Sequence, residues 1–433
     1  MAEPERRVAI VGGGFSGAML AARLAECGVA SVLIERQPVV GPGVAYSTPF
    51  DGHLLNVRSG RMSALDGAPD HFVDWLGIHH PDLADPEAFA PRRVYGDYVR
   101  DRLAAVEATH PGCIERVAGE VTAIAPDGVR LADGTPISAR AVVLATGNPP
   151  PRTAGDAAAI IADPWAPAAL DRIGPDDDLV IIGTGLTMVD MVLMLDSRGW
   201  RGRATALSRR GLLPRPHLTR TDCAAGLDRA VTTGPLSQRL RAARRVSGVE
   251  GWRGLMECLR PITADLWAGA DPAMRARFVR HLRPWWDVHR HRLAPVVSAT
   301  IDRLMTEGRL TVLAGRVRRI DARDGGVAVN WSARSGAVAG PLTGRWLIDC
   351  TGPGHDPATD PLTGPLLASG RARLDTLRLG LDLDPSGRVL DAEGRADPAL
   401  YVLGPPARAA FWETIAVPDI RKRIEDVAAA LAA

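Results

Sequence analysis

Lysine is almost absent from this sequence, since Lys422 is the only lysine in a total of 52 lysines and arginines. Away from that position, this scarcity excludes a mechanism that uses lysine as a Schiff-base nucleophile or a general base. A strong net charge is also missing, because 50 acidic residues leave a formal charge of only +2. We therefore expect no general attraction to nucleic acid or to a membrane surface, and no nucleic-acid partner.

Cysteine is scarce as well, and its pattern argues against several kinds of site. The number is odd, and no two cysteines have the C-x-x-C spacing. This pattern gives little support for structural disulfides, a zinc site or a dithiol redox centre, and it favours a reducing cytoplasm. The five positions are Cys27, Cys113, Cys223, Cys258 and Cys350.

Long hydrophobic runs are missing too. No stretch of about 18 apolar residues occurs, and the N-terminal MAEPERR contains no apolar signal region. We therefore expect a soluble, cytoplasmic protein without a membrane segment. Its 433 residues are enough for two or three domains, although they indicate no particular oligomeric state.

The first informative motif is RRVAIVGGGFSGAML at residues 6–20. A short apolar strand leads into G-x-G-x-x-G at Gly12, Gly14 and Gly17, and an apolar helical pattern follows. The glycines permit a tight turn, close approach of a pyrophosphate and close helix–strand packing, while the helix N-terminus attracts phosphate. A second strand, SVLIER, places Glu35 where a carboxylate accepts hydrogen bonds from ribose hydroxyls. The motif predicts a dinucleotide-binding unit.

A second unit of this kind begins with LVIIGTGLTMVDMV at residues 179–192. Gly183 and Gly185 take the first two glycine positions, but Met188 takes the third, so this helix must lie further from its strand. Ser208, Arg209 and Arg210 stand where the first unit has Glu35, and arginine pairs well with a 2′-phosphate. The pattern predicts an NADPH site, with a non-binding repeat or a solvated basic strand end as the alternatives.

The arrangement resembles the two-dinucleotide-domain flavoproteins, in which strands such as AVVLATG (ending at Gly147) and WLIDCTGPG (residues 346–354) mark the crossings between domains. The resemblance implies an α/β fold with two Rossmann-like domains, the first for FAD and the second for NADPH. The FAD-binding domain is expected at 1–150 and 346–433, and the NAD(P)H-binding domain at 151–345. The FAD contacts that the resemblance implies are Gly12, Gly14, Phe15, Ser16, Gly17, Glu35, Arg36, Val121, Thr146, Gly147, Gly404 and Ile420.

A helical insertion is expected within the second domain, at about residues 212–305. From Arg239 to Arg292 arginines outnumber acids twelve to five, and tryptophans lie among them. Such a segment can bind single-stranded nucleic acid, line a pocket for a planar anionic molecule, or form a solvated helical face with core tryptophans. The spacing of His281, His289 and His291 does not complete a metal site, and no metal is expected.

The C-terminal segment ALYVLGPPARAAFWETIAVPDIR predicts the last strand of the FAD-binding domain and a closing helix that begins near Pro418. In the flavoprotein pattern this strand ends with Gly-Asp, whereas here it ends with Gly404 and Pro405. The ribityl contact of that aspartate is therefore lost or made by another group. The helix would direct the positive end of its dipole at reduced flavin.

A closer resemblance extends over nearly the whole chain. The segments GVAYSTP, HLLNVRSGRMSA, PRRVYGDY, GTGLTMVD, RHLRPWWDVHRHR and FWETIAVPDIR resemble a bacterial family of FAD/NAD(P)-binding proteins that includes FAD-dependent urate hydroxylases. The resemblance implies an NAD(P)H-dependent monooxygenase that uses dioxygen and a C4a-hydroperoxyflavin to hydroxylate a small nucleophilic substrate, either planar and anionic like urate or an amine.

The alternative is an NAD(P)H-dependent flavin reductase or dehydrogenase with an acceptor other than oxygen. The sequence does not identify catalytic side chains, because flavin hydroxylation depends mainly on positioning and exclusion of water. The candidate residues of the flavin and substrate pocket are His53, Asn56, Arg58, Trp285, Trp286 and Trp412.

Overall fold

The computed structural model describes residues 7–149, 158–218, 227–323, 325–337, 339–352, 354 and 356–433. The first part of the chain alternates strands and helices. Its elements are β1 (Val8–Val11), α1 (Phe15–Glu26), β2 (Ser31–Glu35), α2 (Gly43–Tyr46), α3 (His71–His79), α4 (Arg92–Thr109), β3 (Ile114–Ala118), β4 (Val121–Ala125), β5 (Gly128–Leu131), β6 (Pro136–Ser138) and β7 (Ala141–Leu144).

The middle of the chain contains a second set of strands and a group of helices. These elements are β8 (Ile160–Ile161), β9 (Leu179–Ile182), α5 (Leu186–Ser197), β10 (Ala204–Ser208), α6 (Arg229–Thr232), α7 (Leu236–Glu250), α8 (Trp252–Leu259), α9 (Thr263–Ala268), α10 (Pro272–Arg277), α11 (Arg283–Arg290), α12 (Pro295–Thr306), β11 (Leu310–Arg323), β12 (Gly326–Ala333), β13 (Leu342–Gly344) and β14 (Trp346–Asp349).

The last part returns to the first sheet. Its elements are α13 (Thr363–Ala368), β15 (Arg388–Leu390), β16 (Ala396–Val402) and α14 (Val417–Ala432). Helix α14 begins one residue before Pro418, in agreement with the expected closing helix.

The two large sheets repeat one arrangement. The first has the strand order β15-β16-β7-β1-β2-β3, and the second has the order β13-β12-β11-β10-β9-β14-β8. In each, the strand before the glycine turn lies between two parallel neighbours: β1 pairs with β2 and β7, and β9 pairs with β10 and β14. The expected α/β fold with two dinucleotide-binding domains is confirmed.

Alternating side chains explain how the first sheet is covered on both faces. Val8 and Ile10 of β1 belong to the core shared with α1, α4 and α14. Ala9 and Val11 belong to the core on the opposite face, which includes residues of the small β4-β5-β6 sheet. This is the two-residue period of a strand that is buried on both sides.

One expected domain boundary is wrong. A boundary at residue 346 assigns β14 to the FAD-binding domain, but β14 pairs with β9 and β8 in the second sheet. Its counterpart in the first sheet is β7, which pairs with β1. Strand β14 is therefore an integral parallel strand of the second unit, and the chain returns to the first sheet only after it.

The expected insertion at 212–305 consists, in its described part, of helices α6 to α12, with a short 3₁₀ turn at Arg260–Ile262 and a π-helical turn at Phe278–Leu282. Its small core includes Leu255, Met256 and Leu259. The expectation of unpaired cysteines is wrong in this segment, because Cys258 is disulfide-bonded. The free cysteines among the described residues are Cys27, Cys113 and Cys350.

Candidate functional site

The first glycine turn has little room for side chains. Gly12 has a φ of +105°, and a Cβ there would lie 2.5 Å from the carbonyl oxygen of Ala145 at the end of β7. A Cβ on Gly17 would overlap the carbonyl oxygen of Gly12. These contacts bring β1, α1 and β7 close together, as the turn of a dinucleotide-binding unit requires.

Gly14 has a different environment, because its φ of −70° suits any residue. A Cβ there would meet only Gly43, at 3.4 Å from its Cα. The protein backbone therefore tolerates a methyl group at residue 14. Glycine at this position leaves the N-terminus of α1 open to the close approach of a ligand.

Glu35 lies beside this turn at the end of β2. Its Oε2 accepts a hydrogen bond of 2.7 Å from the Gly13 N–H, and its Oε1 accepts one of 2.8 Å from the Gln37 N–H. The carboxylate is thus fixed within reach of the helix N-terminus. The turn and this acid together fit the phosphate and ribose groups of a dinucleotide.

Gly404, with a φ of +75°, follows β16 and lies against Ser16, whose Oγ a Cβ at residue 404 would overlap. Phe15 packs in the core, with its ring 6.3 Å from that of Tyr46. The exposed Arg36 pairs with Glu120 at 3.2 Å. The other predicted FAD contacts differ in exposure. Val121 and Ile420 are buried and Thr146 is exposed, while Gly147 has a φ of +72°.

The second glycine turn repeats the first in two respects. Gly183 has a φ of +108° and lies against the carbonyl oxygen of Cys350, just as Gly12 lies against that of Ala145. Gly185 is the extended residue before α5, as Gly14 is before α1. Met188 replaces the third glycine and is fully buried, so α5 accommodates a full side chain where α1 has none.

The predicted NADPH residues have different surroundings. The Thr184 hydroxyl donates to the Leu212 carbonyl, so Ser208 donates to Thr184 over 2.9 Å and accepts from the Gly211 N–H over 3.0 Å. Ser208 therefore closes the loop after β10. Arg209 is exposed and Arg210 is half-buried, and neither has a hydrogen-bond or ion-pair partner within the described part of the chain. Both guanidinium groups are available to a phosphate.

A polar cavity of about 150 Å³ is bordered by the loop after α2 and by the helical insertion. Asn56 and Arg58, two of the residues predicted for a flavin or substrate pocket, line this cavity, and so does His217. The other charged groups around it are Arg61, Glu87, Glu257, Arg260, Arg290 and Arg292.

Ion pairs hold part of this lining together. Glu257 accepts from Arg61 at 2.6 Å and from Arg292 at 2.9 Å. Burial opposes ionisation of Glu257, but Arg61 and Arg292 outweigh it and keep the pKa below its usual value. Arg58 donates to the carbonyls of Glu87 and Leu218, so it connects two loops of the cavity wall.

His217 is neutral in this setting. Burial, with help from Arg292 and Arg58, lowers its pKa to about 4. Its Nε2 lies 3.1 Å from the Asn56 carbonyl oxygen, which accepts a hydrogen bond only from a protonated nitrogen. The tautomer is therefore Nε2–H, and Nδ1 is an acceptor.

The three tryptophans expected in the substrate pocket are not in the cavity lining. Trp412 is 1% exposed and packs on Trp267 with ring centroids 4.6 Å apart. Trp286 donates from Nε1 to Glu413 Oε1 over 2.8 Å, and Trp285 is 38% exposed. Trp286 and Trp412 instead belong to the contact between the insertion and the segment before α14, because their large apolar rings fill that interface.

His53 was also expected in the pocket, but it lies between the two domains. Its Nδ1 is 2.8 Å from Thr48 Oγ1, and its Nε2 is 2.9 Å from the Asp190 carbonyl oxygen on α5. The Asp190 carboxylate accepts two hydrogen bonds from Arg92 on α4, of 2.9 and 3.1 Å. This arrangement, which we call the interdomain clasp (His53, Arg92 and Asp190), joins the two nucleotide-binding units.

The sequence did not predict Arg260, His217 and Glu257 as cavity residues, because they are distant in sequence from Asn56 and Arg58 and only the folded chain brings them together. One sequence signal was the concentration of arginines between Arg239 and Arg292.

Among the described residues, no three His, Cys, Asp or Glu side chains come together in a way that fits a metal ion. No described helix is long and apolar enough to cross a bilayer.

The chain is similar to known proteins in part of its sequence. Residues 9–149 match the model of a family described as FAD-NAD(P)-binding. An alignment 159 residues long is 30% identical to the tRNA uridine 5-carboxymethylaminomethyl modification enzyme MnmG of Granulibacter bethesdensis, and it covers 33% of this chain and 24% of that protein. The chain thus corresponds to about a quarter of the length of this curated relative.

Solved structures resemble the whole chain. The ornithine N-hydroxylase of Kutzneria sp. 744, with reduced FAD, NADP⁺ and L-ornithine, has a TM-score of 0.68 at 17% identity, covering 99% of this chain and 98% of the other. The L-lysine 6-monooxygenase of Pseudomonas syringae has a TM-score of 0.64 at 17% identity, covering 99% of both chains. These likenesses confirm the fold, and the family match confirms an FAD-NAD(P)-binding unit at residues 9–149.

Proposed function

We propose that this protein is an FAD-dependent, NADPH-consuming monooxygenase that hydroxylates a small nucleophilic substrate. The observation that carries the proposal is the repeated glycine turn, with Glu35 beside the first copy. Beside the second copy lie Arg209 and Arg210, which have no partner among the described residues. The similarity in shape to ornithine and lysine hydroxylases over 99% of the chain supports a reaction of this class.

In this proposal the first unit binds FAD. The N-terminus of α1, with Gly12 and Gly14, takes the pyrophosphate, and Glu35 takes the adenosine ribose. Helix α14 presents its N-terminus from the same domain, where the dipole favours negative charge. FAD supplies the redox chemistry when bound, by accepting a hydride from NADPH and passing electrons to dioxygen.

The second unit binds NADPH. Gly183 and Gly185 leave the N-terminus of α5 open to the pyrophosphate. Arg209 and Arg210 take the 2′-phosphate through charge-assisted hydrogen bonds. The interdomain clasp holds α5 against the first domain and so fixes the orientation of the two cofactor sites.

The cavity beside Asn56 and Arg58 is the proposed substrate site. Its walls come from the first domain and from the insertion, so the insertion covers the substrate and restricts access of water. The competing function is a flavin reductase that uses an acceptor other than oxygen. It shares both nucleotide sites and differs only in where the electrons go.

The FAD site is tested with Gly14→Ala. The variant is expected to fold, because residue 14 has an ordinary φ and a Cβ there makes only a normal contact with Gly43. The methyl group should still block the pyrophosphate and weaken FAD binding by at least about tenfold, as judged by the flavin content of purified protein. Gly77→Ala, at a position where a Cβ meets nothing within 4 Å, is the matched control. Full flavin occupancy in a folded Gly14→Ala variant would contradict the assignment.

A further inference from the structure

The cavity lining carries an excess of positive charge. Among the described residues, five arginines line it, whereas the acids in the lining are Glu87 and Glu257. Arg61 and Arg292 share the single carboxylate of Glu257. Three positive charges are therefore not balanced within the lining, and two of the arginines have unusual surroundings.

Arg260 is the first of these. Its NH2 nitrogen is inaccessible to solvent and has no hydrogen-bond partner among the described residues, and no carboxylate there lies within ion-pair distance of the guanidinium. Burial, followed by repulsion from Arg290 and Arg61, lowers its pKa to about 10, so it remains protonated at neutral pH. A charged guanidinium that is this enclosed and has no carboxylate beside it is costly, and an anion in the cavity that Arg260 lines would balance its charge.

Arg290 is the second, and it is only 7% exposed. Its Nε lies 3.0 Å from Glu413 Oε2 and its NH2 lies 3.8 Å from Asp419 Oδ2. These four atoms nevertheless make no hydrogen bond with one another or with any other described residue, since the contact with Asp419 is too long and the contact with Glu413 lacks hydrogen-bond geometry. Burial also raises the pKa of Asp419 above its usual value. The acids of this neighbourhood therefore leave donor capacity on Arg290 unused.

We propose that this cavity binds the compact oxyanion group of the substrate, a carboxylate or a phosphate, with Arg260 as its principal anchor and Arg290 as a second donor. The inference rests on the proposed function, whose substrate site it specifies. A volume of about 150 Å³ is similar to that of a protein cavity that accommodates benzene, so the bound group is small. A substrate whose charges are all ammonium groups would meet repulsion here.

The test uses oxidised holoenzyme and three probes of similar size: benzoate, benzamide and benzylamine. Inorganic phosphate is a fourth probe, which separates a preference for carboxylate from one for phosphate. Dissociation constants are measured by calorimetry, which requires neither turnover nor a known substrate. We expect benzoate or phosphate to bind at least about tenfold more tightly than benzamide, and benzylamine to bind most weakly.

Arg260→Gln should weaken binding of the preferred anion by at least about tenfold, whereas Arg260→Lys should restore part of it. Arg277→Gln is the matched control, since it removes an exposed arginine of the same insertion that does not line the cavity. If Arg260→Gln fails to fold, Arg61→Gln is used instead, because Arg61 also lines the cavity and its side chain is 48% exposed.

Three results would overturn the inference: equal binding of benzoate, benzamide and benzylamine, unchanged anion binding in the folded Arg260 variant, or displacement of the anion by NADP⁺. The last result would assign these arginines to a cofactor phosphate. Flavin absorbance and NADPH oxidation are recorded on the same preparations, so a failure of the proposed function is detected separately from a failure of anion binding.

Discussion

At the scale of single residues, one position distinguishes the two nucleotide units. Glu35 ends β2 and accepts a hydrogen bond from the Gly13 N–H, whereas β10 is followed by Arg209 and Arg210, whose guanidinium groups have no partner in the part of the chain that the structure describes. A carboxylate accepts hydrogen bonds from ribose hydroxyls and would repel a 2′-phosphate. An arginine side chain instead attracts a 2′-phosphate. The two units are therefore suited to different dinucleotides.

The combined substitution Arg209→Ala and Arg210→Ala should raise KM for NADPH about tenfold or more, because a charge-assisted contact contributes about 1.5–3 kcal/mol. KM for NADH should change little. Steady-state kinetics with both cofactors measure the effect, and Arg277→Ala serves as the control for loss of a solvated arginine. If the parent enzyme uses NADH and NADPH equally well, the two arginines form only a solvated strand end.

Two histidines make stability dependent on pH. Burial lowers the pKa of His217 and of His291 to about 4, from an ordinary value of 6.5. Between these values the unfolded chain binds more protons than the folded protein, so stability falls as pH is lowered from about 6.5 toward 4.

Thermal unfolding across this pH range measures the effect. Replacing both histidines by asparagine should flatten the dependence of Tm on pH, whatever the substitutions do to Tm at neutral pH. The control is the double variant His79→Asn with His80→Asn. These two histidines lie at the end of α3 and do not line the cavity. An unchanged slope in the His217 and His291 variant would show that other groups cause the loss of stability in acid.

Some residues of the candidate site could be predicted from the sequence, and others could not because only tertiary packing brings them together. Gly12, Gly14, Gly17 and Glu35 lie within a short stretch whose conformation is determined locally, so their spacing was informative. Arg260 joins Asn56 and Arg58 only after the insertion packs on the first domain. The sequence does not show what the tryptophans do, because a ring that fills a core and a ring that stacks on a ligand look the same in a sequence.

At the scale of elements, the interdomain clasp joins helix α4 of the first unit to helix α5 of the second. The Arg92 side chain is 15% exposed and that of Asp190 is 7% exposed, so solvent screens this pair only weakly. Removing one partner leaves the other as an uncompensated buried charge, and this lowers the stability of the folded protein strongly.

Asp190→Asn should therefore lower the free energy of unfolding by about 3 kcal/mol, as measured by denaturant titration. The double variant Arg92→Met with Asp190→Leu should recover much of this loss, because it removes both charges. Asp171→Asn, at an exposed ion pair with Arg198, is the control and should change stability little. If Asp190→Asn is as stable as the parent protein, the clasp does not hold the domains together.

The strands show how far local patterns determine the fold. The apolar runs before the two glycine turns become β1 and β9, and the predicted second strands become β2 and β10. The boundary at residue 346 was wrong because WLIDCTG resembles a crossing between domains, whereas its pairing partners, β9 and β8, are distant in sequence. Strand pairing of this kind is a property of the sheet rather than of the segment.

At the scale of the whole molecule, the chain contains two equivalent nucleotide sheets, a clasp between them and an insertion that encloses a basic cavity. In the proposed function the first unit provides the FAD site and the second provides the NADPH site. The insertion would then separate the substrate from bulk water, which a monooxygenase requires and a simple reductase does not. The destination of the electrons therefore distinguishes the proposed function from its competitor.

The most direct measurement is transfer of oxygen from isotopically labelled dioxygen. Purified holoenzyme is incubated with NADPH and a panel of small carboxylates and phosphates, including amino acids and purine acids, and products are analysed by mass spectrometry. Our account predicts substrate-stimulated NADPH oxidation, matching oxygen uptake, and a product that carries one labelled oxygen atom. Electrons that pass entirely to hydrogen peroxide, to quinones or to a protein acceptor, with no labelled product from any candidate, would contradict it.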